Sequence, residues 1–246
     1  MNLVRVLKAL GPIDARNVRR DSMLAWMAIM PFFFVLLFRF FAPWVRDGLL
    51  AQFGFDIAPY YALIMSYGFV IGTPALFGVV IGFLLLDERD DGTLTALQVT
   101  PMPLNSYLVY RVTLPMLISL ILTTLTFPLA RLVTFPLPYL MAVALLAAPL
   151  APVFALFLAV TAKNKVQGFA VMKGMGSIMV LPLVAYFVQS NWQLAFGLVP
   201  TYWPLKLYWV LDADEPGAWI YFAIGAVYQL VLLVVLMRRF NTEMHR

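Results

Sequence analysis

The residues best equipped for chemistry lie between Leu84 and Tyr107, in the stretch LLLDERDDGTLTALQVTPMPLNSY. Asp87, Glu88, Asp90 and Asp91 crowd round Arg89, and Gly92 then breaks the chain. A short amphipathic piece follows over 93–99, with Leu94 and Leu97 three apart on one side of a helix. Pro101 and Pro103 stop it, and Asn105 or Ser106 is placed to cap the next helix. This polar island separates two long apolar runs. A hairpin between packed helices needs only ~2–8 residues. A connector this long, charged and locally patterned reads as a docking element. Residue types alone leave the plainer reading open, a loop whose acids keep it in water.

Other chemistry is absent. The chain has no GxxxxGK[ST] phosphate loop, no HExxH and no GxSxG. It has no cysteine, so disulfides and cysteine-ligated metals are excluded. The single histidine, His245, has no clustered partner, and no metal site or bound cofactor is expected. No Asp or Glu lies deep in an apolar run, whereas proton- and sodium-coupled carriers usually hold an ionisable group near mid-membrane.

The elements that position the island are set by composition. Hydrophobic residues make up 63% and charged residues 12%, against ~45–50% and ~25% in a soluble domain. So few polar residues cannot cover a water-exposed surface, and lipid must be the solvent for most of the chain. The net charge of +5 reads as membrane topology rather than nucleic-acid binding, because of where the cations fall. The first residues lack the apolar core and cleavage site of a signal peptide.

The fold expected is all-α and integral to the membrane, a single transmembrane domain over 1–246. Residues 1–20 read as an amphipathic surface helix, with Leu3, Val6, Leu7 and Leu10 on one face and a break at Gly11-Pro12. Six spans follow, at 22–41, 59–86, 106–130, 139–161, 168–188 and 217–237. Residues 42–58 read as a loop and 87–104 as the connector just described. The second span exceeds a ~30 Å hydrocarbon core and must tilt or kink, with Gly72 and Pro74 offering the kink. Gly68/Gly72 and Gly78/Gly82 allow close helix approach. Arg111 lies one turn into the third span and is expected to snorkel back to water. Residues 189–212 are too apolar for a free loop and too broken for a span. They suit a re-entrant pair of short helices hinged near Pro200. Trp192, Trp203 and Trp209 within and beside that pair read as interfacial anchors.

Topology follows from the cations. With six spans, thirteen fall on one side: Arg5, Lys8, Arg16, Arg19, Arg20, Arg89, Arg111, Lys163, Lys165, Lys173, Arg238, Arg239 and Arg246. Four fall on the other: Arg39, Arg46, Arg131 and Lys206. The asymmetry puts both termini, and the 87–104 connector, in the cytoplasm.

At these residues the chain resembles the type-2 permeases of ABC transporters. DERDDGTLTALQVTPMPLNSYLVYR is similar to that family's acidic-Glu-Arg cluster, Gly-Thr-Leu, Thr-Pro and Tyr opening the third span. Here these are Glu88, Arg89, Gly92, Thr93, Leu94, Thr100, Pro101 and Tyr107. The N-terminal segment is similar to its elbow helix, and the aromatic stretch to its external helices. The resemblance implies an exporter subunit in the cell membrane that pairs with a second permease, identical or a sister, above separate cytosolic ATPase subunits. Those subunits, not this chain, would use ATP. The connector would then be the coupling helix, with Glu88, Arg89, Gly92, Thr93, Leu94 and Leu97 as its contacts. The cargo would be hydrophobic or amphipathic and drug-like, with fluoroquinolone exporters among the small permeases of this kind. The alternative is a secondary carrier or channel that works without an ATPase.

The charge asymmetry makes a direct prediction. Since there is no cysteine to remove, Met1→Cys and Met244→Cys should resist an impermeant thiol reagent in intact cells, and Asp214→Cys should react. The reverse pattern overturns the orientation.

Overall fold

In a computed structural model the chain is described over residues 3–92, 104–188 and 190–244. It is helical throughout, with no strand among the described residues. Helix α1 spans Leu3–Arg20. Six helical stretches are then long and apolar enough to cross a membrane: Ser22–Phe53, Ala58–Asp90, Ser106–Ala130, Leu137–Thr161, Lys165–Phe187 and Ala218–Glu243.

Several boundaries differ from the sequence reading. Helix α1 runs unbroken through Gly11 and Pro12. Proline deletes one hydrogen-bond donor, and docking of the helix outweighs that loss, because it buries Asp14 and partly buries Leu10 and Val18 on one face. The first span comprises α2 (Ser22–Leu36), a π-helical turn (Leu37–Phe41) and α3 (Ala42–Phe53). Most of the expected 42–58 loop is therefore helix. Pro43 follows directly on the π-helical turn, whose wider ladder absorbs the missing N–H. Gly54, with φ +65°, ends the helix. Arg46 then clamps Asp56 at 2.6 and 2.9 Å, and the guanidinium holds that carboxyl down at about 2.

The second span begins with a 3-10 turn at Ala58–Tyr60 and continues through α4 (Tyr61–Met65), a π-helical segment (Ser66–Ile71) and α5 (Gly72–Asp90). The irregularity falls just before Gly72 and Pro74, since π segments absorb the mismatch that a proline creates. The third span is α6 (Leu104–Ala130). The fourth is α7 (Leu137–Ala147) and α8 (Leu150–Thr161), broken at Ala148 and Pro149. The fifth is α9 (Lys165–Val180) and α10 (Pro182–Phe187). A 3-10 helix at Asn191–Leu198 and α11 (Tyr202–Asp212) precede α12 (Ala218–Met244).

The second and fourth spans form the buried centre, and the first, fifth and sixth turn most of their surface outward. Helix α5 packs most extensively on α8. A Cβ on Gly78 would stand 2.5 Å from the Ala151 carbonyl oxygen and 2.8 Å from Phe154 Cβ. One on Gly82 would stand 2.8 Å from Leu158 Cδ2. Hydrogen atoms at Gly78 and Gly82 thus let the two backbones meet, the packing that substitutes for a hydrophobic drive between helices in lipid.

The tryptophans divide. Trp192 is exposed, as an anchor should be, but Trp203 and Trp209 are buried. Each buried indole finds an acceptor: Trp203 Nε1 donates to the Gly197 carbonyl at 2.9 Å and Trp209 Nε1 to Ser66 Oγ at 3.1 Å. They join α11 to its neighbours instead of floating it at the interface.

Gly78→Leu or Gly82→Leu should lower the melting temperature of the purified protein by an amount equivalent to ~1–3 kcal/mol of overpacking. Gly174→Leu on α9, where a Cβ meets nothing within 4 Å, should not. Equal effects from the two helices would refute the packing account.

Candidate functional site: an ionic knot at the charged end

The charged connector leaves the second span at Gly92 and rejoins the third at Leu104. Side chains on both flanks are held by one buried cluster. Arg111, on α6, is 1% exposed, and Asp14, on α1, is 6% exposed. Arg111 Nη1 and Nη2 meet the two Asp14 oxygens at 2.7 and 3.2 Å. Its Nη2 also donates to Glu88, at the end of α5, and its Nε to Tyr107 Oη at 3.1 Å. Tyr107 in turn donates to Glu88, and Tyr110 donates to Asp14 at 2.6 Å. The guanidinium carbon lies 5.2 and 5.4 Å from the Tyr107 and Tyr110 ring centroids, within the range of cation–π attraction.

Arg111 therefore does not snorkel. Its five forked donors are better satisfied by two carboxylates and a phenol than by water at the rim. Helix α1 is correspondingly turned so that its acid faces inward, while Arg16, Arg19 and Arg20 stay outside.

A second, wetter cluster sits beside the first. Lys165 Nζ, at the start of α9, bridges Asp21 at 2.7 Å and Asp87 at 3.1 Å. Asp21 also caps α2, accepting from the Met23 and Leu24 amides. The hydrogen bond from Lys165 holds the Asp21 carboxyl below its ordinary range. Arg89 donates to the Ala162 and Ala159 carbonyls at 2.9 and 2.8 Å, closing the C-terminus of α8. Lys165 keeps about a third of its side chain in water, and such pairs contribute only ~0–1 kcal/mol. The Arg111 cluster, whose guanidinium and Asp14 partner are buried, decides the geometry of this end.

Of the residues singled out from sequence, Glu88 and Arg89 enter these clusters. Gly92 has φ +68° with open space around it, so the backbone turn, not crowding, asks for glycine. Thr93, Leu94 and Leu97 lie outside the described residues. Sequence reading missed Asp14, Asp21, Tyr107 and Tyr110 as partners, and placed Lys165 in a loop where it opens a helix. One signal was there: a single Arg in an apolar run, preceded one turn earlier by Tyr. Among the described residues no acidic or histidine group could hold a metal ion.

Six helices long and apolar enough to cross a membrane, with ionic clusters gathered at one end, define a multi-pass helical membrane protein. The particular family follows from comparison with known proteins. The family described as "Fluoroquinolones export permease protein Rv2686c-like" matches residues 14–237. Two Mycobacterium tuberculosis proteins, the fluoroquinolones export permease proteins MT2760 (strain CDC 1551 / Oshkosh) and Rv2686c (strain ATCC 25618 / H37Rv), are each 35% identical to it over 241 residues. The match covers 97% of this chain and 95% of each relative. The chain belongs to that family, as a multi-pass membrane subunit of an exporter and a transport component rather than an enzyme.

Arg111→Met should cost about 3–5 kcal/mol, because it leaves two carboxylates buried and unpaired. The triple change Asp14→Leu, Glu88→Leu, Arg111→Met should recover much of that loss, since removing all the charges removes the desolvation penalty. Unfolding of the purified protein in detergent measures both. A single mutant as stable as the parent would show that the knot contributes nothing.

Proposed function

We propose that this chain forms the translocation pathway of an ABC exporter, with a second permease subunit, and that separate cytosolic ATPase subunits dock on its charged end. The cargo is a hydrophobic or amphipathic drug of the fluoroquinolone kind, moved across the cell membrane, and both termini are cytoplasmic. The observation that carries this reading is the bracing of both flanks of the 93–103 connector by Arg111, Glu88 and Arg89. The near full-length similarity to the export permeases supports the cargo class.

In this reading the connector is a lever. ATP closes the partner dimer and pushes on Leu94 and Leu97. Glu88 passes the push to Arg111 and so to α1 and α6. Arg89 passes it to the end of α8. Gly92 sets the direction in which the lever leaves the helix, with Thr93 beside it. A lever on a soft mount would dissipate the motion; a desolvated ion cluster is a stiff mount. To move a pathway between 1:99 and 99:1 populations, nucleotide must favour one state by ~5.5 kcal/mol. That free energy has to arrive through these contacts.

Leu94→Asp with Leu97→Asp is the test. Placing carboxylates in an apolar contact costs several kcal/mol, so the double mutant should insert normally yet lose both the copurifying ATPase and drug export in vesicles. Normal ATPase association and transport would reject the coupling role and favour a solvated loop.

A further inference from the structure

At the opposite end of the bundle, a cavity of about 520 Å³ opens between the start of the second span, α10, the 3-10 helix and α11. It is large enough for a drug-sized molecule. Tyr186 and Trp209 form one wall, with their rings 5.2 Å apart in a T-shaped contact. Trp209 is fixed from behind by its hydrogen bond to Ser66. The rest of the lining carries Lys206, Asp212, Glu215 and Gln193. Among the described residues none of the three charged groups forms an ion pair. Lys206 Nζ stands over the Tyr221 ring, 5.4 Å from its centroid. One half-buried cation and two exposed anions thus share the chamber's lining beside the aromatic wall. Lys206 and Asp212 stand six residues apart on α11, ~9 Å along its axis.

From this arrangement we infer that the cavity is a binding site for an elongated aromatic zwitterion: Lys206 takes its carboxylate, Asp212 and Glu215 its ammonium, and Tyr186 and Trp209 its ring system. Each charge on such a ligand answers one that the protein leaves open. A neutral drug would have to leave all three unmet, so the site discriminates by charge as well as by shape. The assignment rests on the drug-export reading for its role in transport, but the binding chemistry is the protein's own.

The experiment uses the full-length permease in lipid nanodiscs and a fluorescent fluoroquinolone with a free carboxylate and a basic ring amine, compared with its carboxylate methyl ester. Fluorescence anisotropy should show the zwitterion binding more tightly than the ester. Lys206→Met should weaken the zwitterion roughly tenfold, the scale of one charge-assisted hydrogen bond, and leave the ester unchanged. Lys206→Arg should restore binding. Asp212→Asn with Glu215→Gln should weaken both compounds. Equal melting temperatures keep folding out of the comparison. No binding by the parent, or equal loss of zwitterion and ester in Lys206→Met, overturns the site. If vesicles with the ATPase export the drug while these variants bind and export like the parent, the site falls and the export reading stands. If charge-dependent binding is found without export, the site stands and the export reading falls.

Discussion

The burial of one guanidinium controls the charged end of this protein. Arg111 has no route to water, so its donors must be met by protein, and the acceptors come from helices far apart in sequence. Asp14 brings α1, and Glu88 brings the end of the second span. Neither helix can move away without leaving a desolvated charge behind, and breaking such a pair costs more than forming it contributes. The cluster is thus a constraint on geometry more than a source of net stability. Tyr107 and Tyr110 complete it by occupying the lone pairs and by lending their ring faces.

The rest of the bundle divides into rigid and loosely covered parts. Backbone contact between α5 and α8 through Gly78 and Gly82 leaves no slack at the centre. The first span, by contrast, turns most of its surface outward and meets the second where both carry π-helical turns, with Phe38 set edge-on against Phe69 at 5.4 Å. Conformational work in a permease requires such a division: a stiff element to receive force at one end and looser packing where the spans are to shift. The ion cluster round Glu88 and Arg111, the tight α5–α8 pair and the outward-facing spans show that division.

The two ends are also different in chemistry. At the charged end the ions are matched, bridged and used as helix caps. At the far end aromatic rings do the joining: Tyr208 lies 5.7 and 4.7 Å from Phe127 and Phe135, and the buried indoles bond to Ser66 and to the 3-10 helix. Beyond the Arg46–Asp56 clamp, Lys206, Asp212 and Glu215 form no ion pair among the described residues, and the proposed ligand site rests on that difference between the two ends.

The all-helical membrane class, the six spans and the special character of 87–92 were legible in the amino-acid sequence, because hydropathy and charge patterning are local and lipid punishes any unpaired backbone. Gly92 was legible as a chain break for the same reason: the turn it makes, at φ +68°, is a property of one residue. What the chain did with Arg111 was not. A lone arginine near a helix end reads as a snorkelling side chain, since nothing nearby in sequence competes with water for it. Its partner Asp14 lies 97 residues away, and only the docking of α1 makes that carboxylate available. The same holds for Lys165, which looks like a loop cation until Asp21 and Asp87 converge on it. It holds too for Trp203 and Trp209, whose aromatic edges suit an interface until tertiary packing supplies their N–H groups with acceptors. Local patterns specified which segments enter the membrane; partner choice among buried polar groups waited for the fold, because desolvation makes those groups take whichever partner the packed helices bring within reach.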